Sequence, residues 1–566
     1  IPGVHPQALP LPPADPVDAA RHALTVERHG GRTPMEWTDV ASAPRLLALR
    51  SEPRAADLAD EVLRVSALVG VPQDARAIRA SADAMPAELR APFASLVAAV
   101  ADAYAAQLPL AGATQLTDAQ RDASLARAEG VVGALNAFRA ALEGTTVAAT
   151  LGSPIFSDPE GLVVLGGVGP DTWTRGGAVL DPVLLVDLGG DDVHLTSAGG
   201  ACGAALFHAC NMLALSVVAD LDGNDRYHYD GAPYAVQGAG SLGAIGILLD
   251  VRGADTYAAK MTRTTSGPFA SYADGVMQGA ANAGIGLLID GDGHDLYQAE
   301  VATLNNRSIW NFAQGWAGYG GFAALTDGGG DDAYHAYSYG FPETTNFIGL
   351  YTNGVGFFGG VGVQTDLGGT RDVYRAHAES RTTDYYAQGF GAFAGLGIFY
   401  EDGGDDDYAA GHTSSNPFIQ PLLNCAFGTG SLAGVGIFLE MGGNDNYLGY
   451  SFAGSGKYAY TMNEGYGGPG VGYGLFVDVS GDDGHFMEAH GGARSDTFGR
   501  GVLLERGNFG GINLQSAGGG NHAGNFLDLG GNDIYTGAPP SRDDARWSGG
   551  ADLNLAPSLA LQAVLG

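Results

Sequence analysis

Asp528-Leu-Gly-Gly-Asn-Asp-Ile-Tyr535 is one of ten copies of a single eight-residue phrase that recurs between residues 187 and 535. The copies begin at Asp187, Asp220, Asp250, Asp290, Asp327, Asp366, Glu401, Glu440, Asp478 and Asp528, so column one is always a carboxylate. Column four is always glycine, from Gly190 to Gly531. Column six is always aspartate, the copy at Asp366 supplying Asp372 after one extra residue. Column eight is tyrosine except at His194 and His485. A degenerate forerunner, Gly166-Gly-Val-Gly-Pro-Asp171-Thr-Trp173, precedes the first full copy and is expected to open the array. Repetition at roughly 30 to 50 residues is the signature of a solenoid, in which each unit buries its apolar face only against its neighbours.

A short apolar run rich in glycine and β-branched residues leads into each phrase, for example Ala244-Ile-Gly-Ile-Leu-Leu249 and Gly434-Val-Gly-Ile-Phe-Leu439. These runs are too short for helices and read as buried parallel strands. Tyr-x-Ala after the phrase (Tyr257, Tyr297, Tyr334, Tyr374, Tyr408) reads as a second strand. A third recurring piece, at Gln237-Gly, Gln278-Gly, Gln314-Gly and Gln388-Gly, reads as another strand or a corner. The predicted fold is mainly β, a parallel β-helix of about ten coils with two or three strands each.

Glycines at columns three and four permit a tight turn with positive φ. Such a turn gathers the carboxylates of columns one and six with backbone carbonyls, and stacking sets the next coil's acids above them. Like charges ~4 to 5 Å apart repel by roughly 1 kcal/mol in water and several at a protein surface. The chain has only two lysines, Lys260 and Lys457, and few arginines in the phrase. A hard divalent ion fits, and calcium accepts the irregular oxygen coordination a turn offers. The candidate ligands are Asp187, Asp192, Asp220, Asp225, Asp250, Asp255, Asp290, Asp295, Asp327, Asp332, Asp366, Asp372, Glu401, Asp406, Glu440, Asp445, Asp478, Asp483, Asp528 and Asp533. The alternative is a metal-free turn whose aspartates cap backbone amides.

Gly-Gly-x-Asp-x-Tyr resembles the second half of the calcium-binding nonapeptide of the RTX β-roll proteins, Gly-Gly-x-Gly-x-Asp-x-apolar-x. The resemblance covers eight residues of each unit and implies calcium at the turn and a β-solenoid. It departs from that family in carrying an acid at column one and in not being a tandem nonapeptide.

Composition narrows the partners. The net charge is -34; residues 1–150 hold 17 acids and 13 arginines, net -4, which leaves 45 acids against 15 bases, net -30, for the rest. Phosphate binding needs a basic stripe, so nucleic acid is excluded as the expected partner. The 91 glycines follow the turn period and signal repeats, not disorder. Three cysteines, Cys202, Cys210 and Cys425, exclude a disulfide scaffold; Cys202 and Cys210 either pair across a local loop or are small buried residues. No run of eighteen apolar residues occurs, so no transmembrane segment is expected. A start at Ile1 fits a signal peptide already removed, and equally a trimmed chain.

Five segments are expected: a proline-rich arm (1–16), an α-helical domain (17–143), a transition (144–182), the solenoid (183–537) and a C-terminal tail (538–566). Candidate helices are 16–27, 55–68, 74–84, 87–107 and 118–142, with a capping box at Thr117 to Gln120. His22 and His29 read as a solvated surface. The helical domain is expected to cap the solenoid or to dock elsewhere. Variable excursions between the second strand and the Gln-Gly corner carry aromatic, hydroxyl and amide groups and offer a binding face. The leading reading is a secreted or surface-attached calcium-binding solenoid with a structural or adhesive role, a subunit of an extracellular assembly whose further partners are polysaccharide or other extracellular proteins. The alternative is a carbohydrate-active enzyme, a lyase or glycosidase, with Lys260, Arg263, Arg307, Arg375 and Arg381 as its loop cations. Acids that repeat in every unit argue for structure, because a catalytic pair stands apart from its neighbours.

Overall fold

The computed structural model describes residues 30–143, 145, 156–157, 161–174, 181–204, 211–231, 235–264, 272–304, 308–341, 347–379, 383–411, 421–453, 460–462, 473–491, 494–496, 523–528 and 534–537. The chain is a parallel β-solenoid preceded by a helical region. Each turn contributes to four sheets, where two or three strands were expected. The apolar runs form a 12-stranded sheet and the tyrosine strands an 11-stranded one. The strands before the Gln-Gly corner form an 8-stranded sheet, and two-residue strands after it form a 7-stranded sheet. Six successive turns, from Leu215–Asp220 to Gly430–Ser431, carry all four strands among the described residues. The expected ten coils therefore reduce to six complete ones, extended at both ends by turns that lack one or more strands. The fourth strand escaped the sequence reading because it is only two residues long, such as Gly240–Ser241.

Identical residues stack in register. Tyr227, Tyr257, Tyr297, Tyr334, Tyr374, Tyr408 and Tyr447 pair strand to strand, with His194 before them and His485 after. The forerunner heads the array as expected: Val163–Leu165 and Thr172–Thr174 open the two long sheets. Phe156–Ser157 pairs antiparallel with the first of these and covers that sheet edge.

At most described column-four positions a Cβ would strike the backbone of the turn before. A Cβ on Gly223 would lie 1.7 Å from the Gly190 carbonyl oxygen, and one on Gly330 1.6 Å from that of Gly293. The Gln-Gly pieces are corners: Gln237 and Gly238 have φ of 53° and 73°. Three of these glutamines reach back across the coil, with Gln237 Nε2 donating to Tyr227 O and Gln278 Nε2 to Tyr257 O at 2.8 Å, and Gln314 Nε2 to Tyr297 O at 3.2 Å.

The helices are Pro34–Ala41, Ala43–Ala48, Leu58–Val69, Ala75–Ala84, Ala87–Gln107 and Asp118–Leu142. The last four match expected helices, and the Thr117 capping box is present; the candidate at 16–27, with His22 and His29, lies outside the described residues. The helical region does not sit on a solenoid end among the described residues. It lies along the outer face of the apolar sheet, whose alternate residues Ile245, Ile247, Leu249, Phe322 and Val363 share one buried cluster with Trp37, Val97 and Val132. Trp37 stacks on Phe322 at 5.2 Å. Gln107 Nε2 donates to Gly243 O at 2.8 Å, and Leu116 N to Tyr319 O at 3.0 Å. A strand with β-branched and aliphatic residues on both faces needs cover on both, and the helices supply the outer cover. The helix-containing stretch Ala87–Leu110 is long and apolar enough to cross a membrane by composition, with mean hydropathy 1.4; 56% of that window is buried here.

Candidate metal centre

The corner between the apolar and tyrosine sheets carries the phrase. Column one ends the apolar strand, as Asp220 and Asp250 do. Column six immediately precedes the tyrosine strand, as Asp225 does before Arg226–Gly231. The eighteen candidate ligands from Asp187 to Asp483 all turn inward and are at most 3% exposed. Asp528 lies on a strand in register with Asp478, and Asp533 lies outside the described residues.

Two hydrogen-bond ladders fix these carboxyls. Each column-six Oδ1 accepts the backbone N–H of the column-six aspartate one turn earlier: Asp192 N to Asp225 Oδ1 at 2.6 Å, Asp225 N to Asp255 at 2.5 Å, Asp255 N to Asp295 at 2.5 Å, and Asp295 N to Asp332 at 2.6 Å. The ladder continues through Asp372, Asp406, Asp445 and Asp483. Column one caps its own turn, as when Gly329 N donates to Asp327 Oδ1 at 2.9 Å. Its other oxygen accepts from the aromatic column: Tyr227 Oη to Asp250 Oδ2 at 2.7 Å, Tyr297 Oη to Asp327 Oδ2 at 2.6 Å, and Trp173 Nε1 to Asp187 Oδ2 at 2.8 Å. The tyrosine rings stack 4.6 to 5.0 Å apart and nearly parallel. The extra residue after Asp366 is taken up in the turn, where Thr370 N donates to Asp331 Oδ1, and strand pairing resumes at Val373.

The second column-six oxygen is unanswered from Asp192 to Asp372, whereas Asp406 Oδ2 and Asp445 Oδ2 accept from Tyr408 and Tyr447. Oδ2 of Asp192, Asp225, Asp255, Asp295, Asp332 and Asp372 is buried with no hydrogen-bond partner. Among the described residues, the ion pairs engage none of the ladder acids from Asp187 to Asp445 except Asp220, which faces His194 at 3.3 Å. Burial, and then mutual repulsion, push these carboxyls upward: Asp225 to about 8, with Asp255 the largest repelling neighbour, and Asp295 to about 10, beside Asp290. Asp250, Asp290, Asp366, Glu401 and Glu440 are likewise held well above the ordinary carboxylate range, for the same two reasons. Burial lowers His194 to about 3, leaving its ring neutral.

The acids gather in groups whose ligand atoms lie within 4.8 Å of one another. Asp225, Asp250 and Asp255 form one, Asp255, Asp290 and Asp295 the next, and Asp295, Asp327 and Asp332 a third. Asp192, His194 and Asp220 form another, as do Asp478, Asp483 and His485. These groups can hold metal ions. The sequence reading found the acids and their stacking but not which way they face; their burial, and the roles of His194, His485 and the tyrosine hydroxyls, follow only from the fold. An open depression of about 450 Å³ lies over the turns on the solvent side, lined by Asp191, Asp222, Asn224 and Arg252.

Of the loop cations, the two whose side chains are described, Lys260 and Arg375, stand three turns apart on the tyrosine sheet. Lys260 pairs with Glu300 at 2.8 Å, and Arg375 projects from the outer face of the tyrosine sheet beside His335. Arg307 and Arg381, and most of the variable excursions, lie outside the described residues, as does the Arg263 side chain. Cys202 is disulfide-bonded and Cys425 is a buried thiol; Cys210 lies outside the described residues. Comparison with family models, curated proteins and solved structures finds no match to this chain.

Proposed function

We propose that the protein is a secreted or surface-attached structural solenoid held rigid by a column of divalent cations, calcium by preference, and that it serves as an adhesive or assembly subunit. One observation carries this reading: paired carboxylates are buried in every turn, and column-six oxygens such as Asp225 Oδ2 and Asp255 Oδ2 have neither donor nor cation. Isolated buried charges are too costly to persist, so such groups bind protons or metal. Two carboxylates per turn carry a charge of two, which one divalent ion per turn neutralises. The ligand atoms of the all-acid groups are carboxylate oxygens, the hard set that calcium takes at about 2.4 Å, so opposite ligands span about 4.8 Å. The Cys202 disulfide supports an oxidising compartment.

Metal analysis of the purified protein, with melting curves before and after chelation, tests the reading. The expected result is about one calcium per complete turn and a melting temperature that drops sharply in chelator. A protein that binds no divalent ion and melts identically with and without chelator ends it.

A further inference from the structure

The aromatic column changes chemistry at its two ends. Column eight is tyrosine throughout the middle of the array, but His194 stands at its start and His485 near its far end. Where a tyrosine offers the next turn's acid a phenol, His194 offers Asp220 a ring nitrogen, with Nε2 at 3.3 Å from Oδ2. The ligand atoms of Asp192, His194 and Asp220 lie within 4.8 Å of one another, and so do those of Asp478, Asp483 and His485. The first group is sealed: Asp220 and His194 are 0% exposed and Asp192 1%. Within it, neither Asp192 Oδ2 nor His194 Nδ1 has a hydrogen-bond partner. Its ring is held flat against Tyr227 at 4.5 Å, which fixes the direction of its nitrogens.

A nitrogen beside two carboxylates is a different receptor from an all-oxygen group. Calcium selects oxygen ligands, whereas imidazole suits zinc and its transition-metal neighbours, whose affinity for mixed nitrogen and oxygen sites is far higher. We propose that Asp192, His194 and Asp220 form a site for a zinc-class divalent cation, chemically distinct from the calcium column, and that Asp478, Asp483 and His485 repeat it at the other end. The tyrosine-to-histidine exchange thus sets terminal metal identity apart from that of the middle turns. The proposal shares with the calcium reading the premise that the column holds cations, yet the two fail separately.

The full chain is stripped with chelator, loaded with calcium and titrated with zinc alone, followed by calorimetry and elemental analysis. Two zinc equivalents that excess calcium does not displace are expected, with one remaining in His194→Tyr and none in the double variant with His485→Tyr. Tyrosine is the residue of the other eight copies, so the variants keep the column's own packing. Cobalt loading of the unaltered chain checks the point without mutation, through paramagnetically shifted imidazole proton resonances in the NMR spectrum. Zinc displaced by calcium, zinc content unchanged in His194→Tyr, or cobalt without shifted imidazole signals overturns the proposal. A chain that holds zinc at His194 but takes up no calcium ends the calcium reading and leaves this one standing; calcium without zinc does the reverse.

Discussion

Tyr297 Oη donates a 2.6 Å hydrogen bond to Asp327 Oδ2 of the following turn, and both groups are fully buried. The bond couples the aromatic column to the acid column, so the two stacks are one device. Tyr297→Phe keeps the ring between Tyr257 and Tyr334, at 4.7 and 4.6 Å, and removes only the hydroxyl. A buried acceptor left without its donor costs about 1 to 3 kcal/mol. The variant is expected to unfold at lower urea than the parent, and an unchanged midpoint would show that the bond contributes nothing.

Trp37 joins the helical region to the solenoid. It is fully buried on Phe322, under the guanidinium of Arg121 at 5.2 Å, and Arg121 is itself buried and paired with Asp118 at 2.9 Å. Trp37→Ala removes the wedge and opens a cavity over the apolar sheet, at a cost of about 3 to 5 kcal/mol. The expected signature is a lower melting temperature together with self-association seen by light scattering, because Phe322 and Val363, on strands that Pro34–Ala41 packs against, lose cover. A variant that melts early but stays monodisperse would place the cover elsewhere.

The repeat was legible because the phrase is nearly invariant at columns one, four and six, and an invariant turn at a regular spacing admits little besides stacking. The helices from Leu58 onward were legible from alanine-rich periodicity and the Thr117 cap. Where those helices pack was not. The apolar runs place Leu248 inward and Ile247 outward, and a chain greasy on both faces says that the outer face is covered without saying by what. Pro34–Ala41, which delivers Trp37, spans eight residues and gave no strong period of its own. The inward aim of the acids was likewise hidden: an Asp-Gly-Gly turn reads as a surface feature until the tyrosine hydroxyls are seen to meet it from inside.

The metal-free protein is expected to show inverted pH dependence. Burial first, then neighbouring carboxylates, and both against the lowering pull of backbone hydrogen bonds, raise Asp187, Asp225, Asp372 and Asp445 from 3.8 to about 8, and Asp332 to about 10. The folded state therefore keeps protons that the unfolded chain releases above 3.8. Stability is greatest below that value and is lost as pH climbs through the folded values, the reverse of ordinary acid denaturation. Calcium bound in the column, as proposed, would take the place of those protons and flatten the decline. Circular dichroism melts across the window, with and without chelator, check the sign. A chelated protein that grows more stable between 3.8 and about 8 contradicts the buried column.

Asp255 separates proton from metal most cleanly. Its Oδ1 accepts the Asp225 N–H at 2.5 Å, its Oδ2 is unpartnered, and its carboxyl belongs to two adjoining groups, one with Asp225 and Asp250 and one with Asp290 and Asp295. Asp255→Asn preserves the accepting oxygen and the volume, removes one buried charge, and turns the unanswered oxygen into an amide donor beside Asp250. In the metal-free protein that change relieves repulsion and supplies a hydrogen bond, so stability should rise by about 1 kcal/mol. In the calcium-loaded protein it strips a carboxylate from two neighbouring sites, so calcium stoichiometry and melting temperature should both fall. The opposite signs are the test. A purely hydrogen-bonded ladder with no resident cation requires the same change of stability whether or not calcium is present, because nothing in that ladder distinguishes the two conditions.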